Sequence, residues 1–162
     1  MKGEMNGQVF QPSNSKIGNL EAKYMVLIAY FGAAVLGLIP GVQYVAWLVP
    51  LIIFFVDKEN KFIAFHAIQA LFLELVVVII AIIFAIVAAV AVAGATLSAA
   101  TLSYGGLYAG AGVILAATVI TAIAGILVLV LAIISAMKGY KYEIYLAPLV
   151  GKCAEKVVFK TH

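Results

Sequence analysis

The feature that most constrains this chain is the distribution of its charges. Between Tyr24 and Val56, and again between Phe62 and Met137, there is no lysine or arginine, and the one acidic residue is Glu74. The lysines fall in three short blocks at the start, the middle and the end of these apolar stretches. Long uncharged apolar runs bounded by lysines are typical of helices that cross a bilayer. The pattern therefore predicts an integral membrane protein.

Composition excludes a soluble domain. Of 162 residues, 66% are hydrophobic and 10% are charged, whereas soluble domains are roughly half apolar and a quarter charged. A helix needs about 20 residues to cross about 30 Å of hydrocarbon, so the apolar residues are enough for about four passes. We expect an all-α, polytopic membrane protein with four transmembrane helices.

The predicted organisation has three parts. Residues 1–20 are rich in Gly, Asn, Ser and Gln and are interpreted as a flexible cytosolic tail, residues 21–137 as the four-helix membrane domain, and residues 138–162 as a cytosolic interfacial segment. The four helices are predicted over residues 21–39, 42–56, 62–93 and 112–137. The last part has an amphipathic pattern that predicts a short helix lying on the membrane surface. Its apolar positions are Leu149, Val150, Cys153, Ala154, Val157 and Val158.

The lysines also predict the topology. Cytosolic loops carry an excess of basic residues, and an even number of crossings between the blocks places them all on one side. We therefore expect both termini to lie in the cytosol. The expected location of the protein is the plasma membrane of a prokaryote. Lipids with anionic headgroups are the expected partners of these lysines, rather than nucleic acid. The candidate interfacial basic residues are Lys58, Lys61, Lys138, Lys141, Lys152 and Lys156.

The second predicted helix is unusual in its length and in its proline. Pro40-Gly41 is a turn signal that ends the first helix, and Pro50 breaks the second. Residues 42–56 rise only about 22 Å, so this segment must thin the bilayer, lean on neighbouring helices or be partly re-entrant. We predict a crossing, because otherwise Lys58 and Lys61 would lie opposite the other two lysine blocks.

Three polar residues on the third predicted helix form the candidate functional flank. His66, Gln69 and Glu74 lie three and eight residues apart, on one broad side of a helix. An acid in the membrane is costly, which favours a proton or cation site at Glu74. In the alternative interpretation, Glu74 lies at the inner edge of the hydrocarbon, pairs with a nearby lysine and helps to hold helices together. The sequence leaves both interpretations open.

The fourth predicted helix carries Ala117, Thr121 and Gly125 at four-residue intervals, which predicts a helix-packing face. Gly106 and Gly110 have the same spacing, but their Gly-rich surroundings, residues 94–111, favour a flexible turn.

The sequence has no phosphate-binding loop, zinc motif or nucleophile elbow. We therefore expect no enzymatic activity, no metal and no cofactor.

Two segments carry a resemblance to a known family. Residues 50–70, with Phe-His-Ala-x-Gln-Ala at their end, and the closing segment 136–151 resemble small prokaryotic four-helix membrane proteins related to the chloroplast inner-envelope import component of 20 kilodaltons. The resemblance covers about residues 21–156. It implies four helices with both ends cytosolic and a role around a protein-conducting assembly. Ala64 stands where those relatives often have Arg, and this chain has no arginine.

These observations predict a non-enzymatic membrane protein that acts by association with other membrane chains or with itself. It would be a small subunit of a membrane complex or of a translocase-like assembly. The alternative is a small channel or carrier, in which the helix break at Pro50 exposes backbone carbonyls beside His66, Gln69 and Glu74.

Overall fold

The computed structural model describes residues 5–36, 39–42 and 45–159. Within these residues it is all-helical, which confirms the predicted all-α class. The five helices are α1 (Ala22–Leu36), α2 (Leu48–Val56), α3 (Lys61–Ala100), α4 (Tyr104–Tyr140) and α5 (Gly151–Phe159). Several residues of the predicted segments lie outside the described residues: 1–4 of the tail, Gly37 and Leu38 of the first helix, Gln43 and Tyr44 of the second, and 160–162 at the end.

The prediction of four transmembrane helices is wrong. In the described part of the chain, two helices, α3 and α4, are long and apolar enough to cross a membrane. At 1.5 Å per residue, the 15 residues of α1 rise about 22 Å and the nine residues of α2 about 13 Å. Both fall short of the about 30 Å of a hydrocarbon core. Apolar composition alone does not distinguish a spanning helix from a short apolar one.

Helices α3 and α4 extend beyond their predicted bounds, and only residues 101–103 connect them. Gly94, Gly106 and Gly110 are helical, so the interpretation of Gly106 and Gly110 as a flexible turn is wrong. A Cβ at Gly110 would lie 3.0 Å from both the Ala91 carbonyl oxygen and the Ala95 Cβ, and one at Gly106 would clash with the Ser98 side chain. The glycines therefore let the two helices approach closely, as small residues do in membrane helix pairs.

The described residues form two compact units. The first unit contains the chain up to Glu74 and again from Val130, and the second unit is Leu75–Leu129. In the first unit, every residue from Phe62 to Ala70 is buried, and the most exposed of them is Ile68 at 5%. The second unit is a helical hairpin, formed by the later part of α3 and the earlier part of α4.

The C-terminal amphipathic helix exists as α5, and part of its predicted apolar face is buried in the protein, while its place on the membrane surface stays a prediction. Val150, Ala154 and Val158 are buried in the first unit. The ring of Phe159 also lies 6.4 Å from that of Phe10 and 6.0 Å from that of Phe65. Leu149, Cys153 and Val157 remain exposed. The first unit therefore buries half of the predicted apolar face.

The described part of the N-terminal tail makes defined contacts with the first unit. The Gly7 amide donates to the Ile144 carbonyl at 2.7 Å, and the Phe10 amide donates to the Tyr142 carbonyl at 2.8 Å. The Phe10 ring lies 5.6 Å from the Phe62 ring. These contacts join the tail to the segment between α4 and α5.

Candidate functional site

His66 and Gln69 lie at the centre of a buried hydrogen-bond network in the first unit. Both side chains are fully buried, as is Ser135 of α4, and Tyr30 of α1 is nearly so. The amide nitrogen of Gln69 donates to the Tyr30 hydroxyl at 2.9 Å and to the Ser135 hydroxyl at 3.1 Å. The Tyr30 hydroxyl lies 3.2 Å from Nδ1 of His66. We call Tyr30, His66, Gln69 and Ser135 the polar network.

The backbone fixes the direction of this network. The Ala147 amide donates to Oε1 of Gln69 at 3.2 Å, so the NH₂ group of Gln69 must face Tyr30 and Ser135. With its oxygen accepting from Gln69, the Tyr30 hydroxyl can give its own proton to Nδ1 of His66. One glutamine thus links α1, α3, α4 and the segment before α5.

Two glycines make room for the network. A Cβ at Gly139 would lie 3.0 Å from Cε1 and 3.1 Å from Nε2 of His66. At Gly151, a Cβ would come within 2.6 Å of the Leu146 backbone and 3.0 Å of Oε1 of Gln69. The absence of a side chain at these two positions therefore leaves room for the imidazole and the amide.

Glu74, the third member of the predicted flank, does not join the network. It is half-buried on α3, and its Oε2 is buried without a hydrogen-bond partner in the described part of the chain. The described ion pairs of the lysines join Lys16 to Glu59, Lys23 to Glu21 and Lys138 to Glu143. The structure thus brings together two of the three predicted flank residues.

Pro50 lies in the first turn of α2 and is buried. The first amides of a helix have no acceptor within the helix, so a proline there removes no helical hydrogen bond. The helix begins at Leu48, and so the proline is part of its start.

The six predicted interfacial lysines all belong to the first unit. Lys58, Lys141, Lys152 and Lys156 are exposed. Lys61 donates to the Val158 carbonyl at 3.1 Å and so interacts with the last turn of α5, where the helix dipole favours a cation. Lys138 binds both carboxylate oxygens of Glu143, at 2.8 and 3.0 Å.

The predicted packing face of α4 lies in the second unit. Ala117 and Thr121 line a groove between α3 and α4, with a volume of about 480 Å³, whose other walls include Ile80 and Phe84. Gly125 lies apart from this groove, and a Cβ there would have nothing within 4 Å.

A second polar cluster joins the start of α1 to the end of α2. Asp57 is buried and accepts from the Ser15 hydroxyl at 2.5 Å and from the Lys16 amide at 2.7 Å. The Lys16 ammonium pairs with Glu59 at 2.6 Å and lowers the pKa of that exposed carboxyl below its usual range. We call Ser13, Ser15, Lys16, Asp57, Glu59 and Asn60 the polar base.

Sequence reasoning did not identify Tyr30, Ser135 or the polar base. Tyr30 and Ser135 are isolated polar residues inside long uncharged segments. A polar group in an apolar segment needs a partner, and that signal could have singled them out. Nothing in the spacing of the sequence shows that both lie against Gln69, because the three residues come from different helices.

The two long apolar helices and the placement of all charges outside the second unit define an α-helical, membrane-associated protein. No curated protein and no solved structure gave a match. The model of the magnetosome magnetite crystal formation protein family (MamF/MmsF) matches residues 21–153, and the chain belongs to this family.

This is a family of magnetosome membrane proteins, described by magnetite crystal formation and not by an enzymatic activity. The match corrects the resemblance drawn from the sequence. It supports a family of membrane proteins but gives no support to a relation with the chloroplast import component. The translocase-like role that this relation implied loses its basis.

Proposed function

We propose that this chain takes part in magnetite crystal formation as a non-enzymatic subunit of a complex in the magnetosome membrane. The family match over residues 21–153 is the observation that carries the proposal. The chain acts by association with lipid and with other membrane chains or further copies of itself. Both termini lie on the cytosolic side in this proposal, and the three lysine blocks support that orientation.

The geometry of the polar network supports association over chemistry. His66 and Gln69 are fully buried, and their described hydrogen bonds run to α1, to α4 and to the Ala147 amide of the same unit. Side chains used in this way hold a fold together, because each would leave a buried polar group unpaired if it turned elsewhere. The channel or carrier alternative needs the same side chains to face a path.

The exposed surfaces support lipid and protein partners. Lys58, Lys141, Lys152 and Lys156 are exposed cations on the first unit, suited to anionic headgroups. The open position at Gly125 on α4 allows close approach of another helix. The plasma membrane is the alternative location, and fractionation of magnetosomes from plasma membrane distinguishes the two.

The test is made in a magnetosome-forming cell that lacks this chain. We expect the number or size distribution of magnetite crystals, measured by electron microscopy, to change and to be restored by the wild-type chain. Crystals unaffected by the loss of the chain contradict the proposal.

A matched variant separates association from transport. Glu74→Gln removes the ionisable carboxyl group of the candidate functional flank while keeping the shape of the side chain. We expect the variant chain to restore the crystals fully. If Glu74→Gln accumulates to the wild-type level but fails to restore them, the association mechanism is contradicted and ion flux through the chain becomes the explanation.

A further inference from the structure

Helices α1 and α2 form a short hairpin whose two ends are joined at the polar base. The Ala22 amide, at the start of α1, donates to the Ser13 carbonyl at 2.8 Å. Asn60, after the end of α2, donates to the Ser13 hydroxyl at 3.0 Å. Together with the bonds of Asp57 to Ser15 and Lys16, these contacts hold the start of α1 and the end of α2 at one level.

Beyond the polar base, the hairpin is apolar and too short to cross. No charged residue occurs between Tyr24 and Val56. Helices of about 22 Å and about 13 Å cannot span about 30 Å of hydrocarbon, but both fit within one leaflet and its headgroup region, which together are about 20 to 22 Å deep. The length and the charge pattern therefore favour a segment that enters a membrane and returns.

In the described part of the connection between the two helices, several backbone amides are paired with backbone carbonyls. The amides of Ile39, Val42 and Val45 donate to carbonyls three residues earlier, at 3.0 to 3.1 Å. Those of Leu48 and Val49 do the same at 2.9 and 3.0 Å. Unpaired backbone groups are costly away from water, so these tight turns suit an apolar environment.

The outer face of the hairpin is exposed and apolar. Val35 and Phe55 are each 62% exposed, and Ile39 is 49% exposed. A groove with a volume of about 680 Å³ runs along α1 beside α2, and its lining includes Leu27, Phe31, Gly32 and Val49. Exposed apolar surface of this kind marks contact with a membrane or another protein.

We propose that α1 and α2 form a re-entrant hairpin that enters one leaflet of the membrane and leaves on the same side. Its outer face is covered by the acyl chains of that leaflet, and its polar base lies among the headgroups. Three lysines at or beside the base, Lys16, Lys23 and Lys58, suit anionic headgroups. If a second copy of this chain covered the outer face instead, the hairpin would need neither a length close to the depth of one leaflet nor a polar base beside lysines. The chain crosses the membrane through α3 and α4 alone, and this inference is independent of the proposed function.

Single-cysteine labelling tests the hairpin. Cys153 is the one cysteine, so Cys153→Ser gives a background for Ile39→Cys near the tip, Lys58→Cys at the base and Ser103→Cys between α3 and α4. Sealed vesicles of known orientation are treated with a membrane-impermeant maleimide from each side. Ile39 suits the test because the protein itself leaves its side chain half exposed.

We expect Lys58→Cys and Ser103→Cys to react from opposite sides, and Ile39→Cys to react from neither until detergent dissolves the membrane. Reaction of Ile39→Cys from the Ser103 side would show a full crossing. Reaction from the Lys58 side would show a hairpin outside the membrane. Either result overturns the proposal.

Fluorescence of Trp47, the one tryptophan of the chain, gives a second measurement without a cysteine. In vesicles containing brominated lipids, we expect stronger quenching by bromines deep in the acyl chain than by bromines near the headgroup. Stronger quenching near the headgroup, or none at either depth, overturns the proposal.

Discussion

The two units of this chain are built from the same kind of helix but are stabilised in opposite ways. All ten basic and all seven acidic residues lie outside Leu75–Leu129. The first unit has a buried polar network centred on Gln69, and polar contacts join its segments. The second unit relies on close approach of small residues, at Gly106 and Gly110 against Ser98, Ala95 and Ala91.

The difference shows which interactions fix the packing of the helices in each unit. In the first, a few buried hydrogen bonds join elements far apart in the sequence, such as Gln69 and Ser135, and each bond has one correct geometry. In the second, van der Waals packing between two consecutive helices is sufficient, because lipid gives no hydrophobic drive for them to associate. Substitutions should therefore act by different mechanisms in the two units.

The largest effect is expected for Gln69→Leu. Leucine cannot accept from the Ala147 amide or donate to Tyr30 and Ser135, so buried polar groups lose partners. Each such group costs about 1 to 3 kcal/mol, and we expect a loss of about 3 kcal/mol or more. The measurement is thermal or denaturant unfolding in mild detergent.

Glu74→Gln, on the same helix, is the control: it keeps the size of the side chain and breaks no described hydrogen bond, so it should change stability by less than Gln69→Leu does. Equal losses in the free energy of unfolding for Gln69→Leu and Glu74→Gln would contradict the stabilising role of the polar network.

A smaller effect is expected for Asp57→Ala in the polar base. The substitution removes the acceptor for the Ser15 hydroxyl and the Lys16 amide, and hydrogen bonds to a charged group are worth about 2 kcal/mol. Hydrogen exchange should rise at the Lys16 amide, with Lys58→Ala as the exposed neighbouring control. Unchanged protection of that amide would show that the base does not hold the two ends of the hairpin.

In the second unit, Gly110→Ala should destabilise the pairing of α3 and α4 by about 1 kcal/mol, because the new methyl group meets the Ala91 backbone. Gly112→Ala is the matched control two residues later, where a Cβ has nothing within 4 Å. There the higher helix propensity of alanine should stabilise by up to about 1 kcal/mol. Opposite signs for the two variants are the expected outcome, and equal signs would contradict packing through Gly110.

The smallest effect concerns the exposed pair of Lys16 and Glu59. The pair lowers the pKa of Glu59, so its contribution to stability is present above the ordinary carboxyl pKa and is lost as the pH falls through the lowered value. In an NMR titration, Lys16→Met should raise the midpoint of Glu59 towards its usual value. A midpoint that does not move would show that the pair is absent in solution.

Sequence reasoning predicted the helical class and the apolar segments because charge and hydropathy are local properties. It did not predict the extent of α3 and α4, since Gly106 and Gly110 signal turns locally, whereas in the structure they are helical and lie against Ala91, Ala95 and Ser98. The number of spans was wrong because composition alone does not show where an apolar run turns.

The candidate site was predicted in part for a similar reason. His66 and Gln69 were identified as polar residues on an apolar helix, whereas Tyr30 and Ser135 reach them only in three dimensions. The spacing that placed Glu74 on the same flank does not show that it lies outside the network.

The most direct test of association is the mass and composition of the native complex, extracted from its own membrane into a mild detergent or nanodisc. We expect an assembly of fixed stoichiometry, with a second membrane protein or with further copies of this chain. A monomer that carries lipid alone would contradict association as the way this protein works.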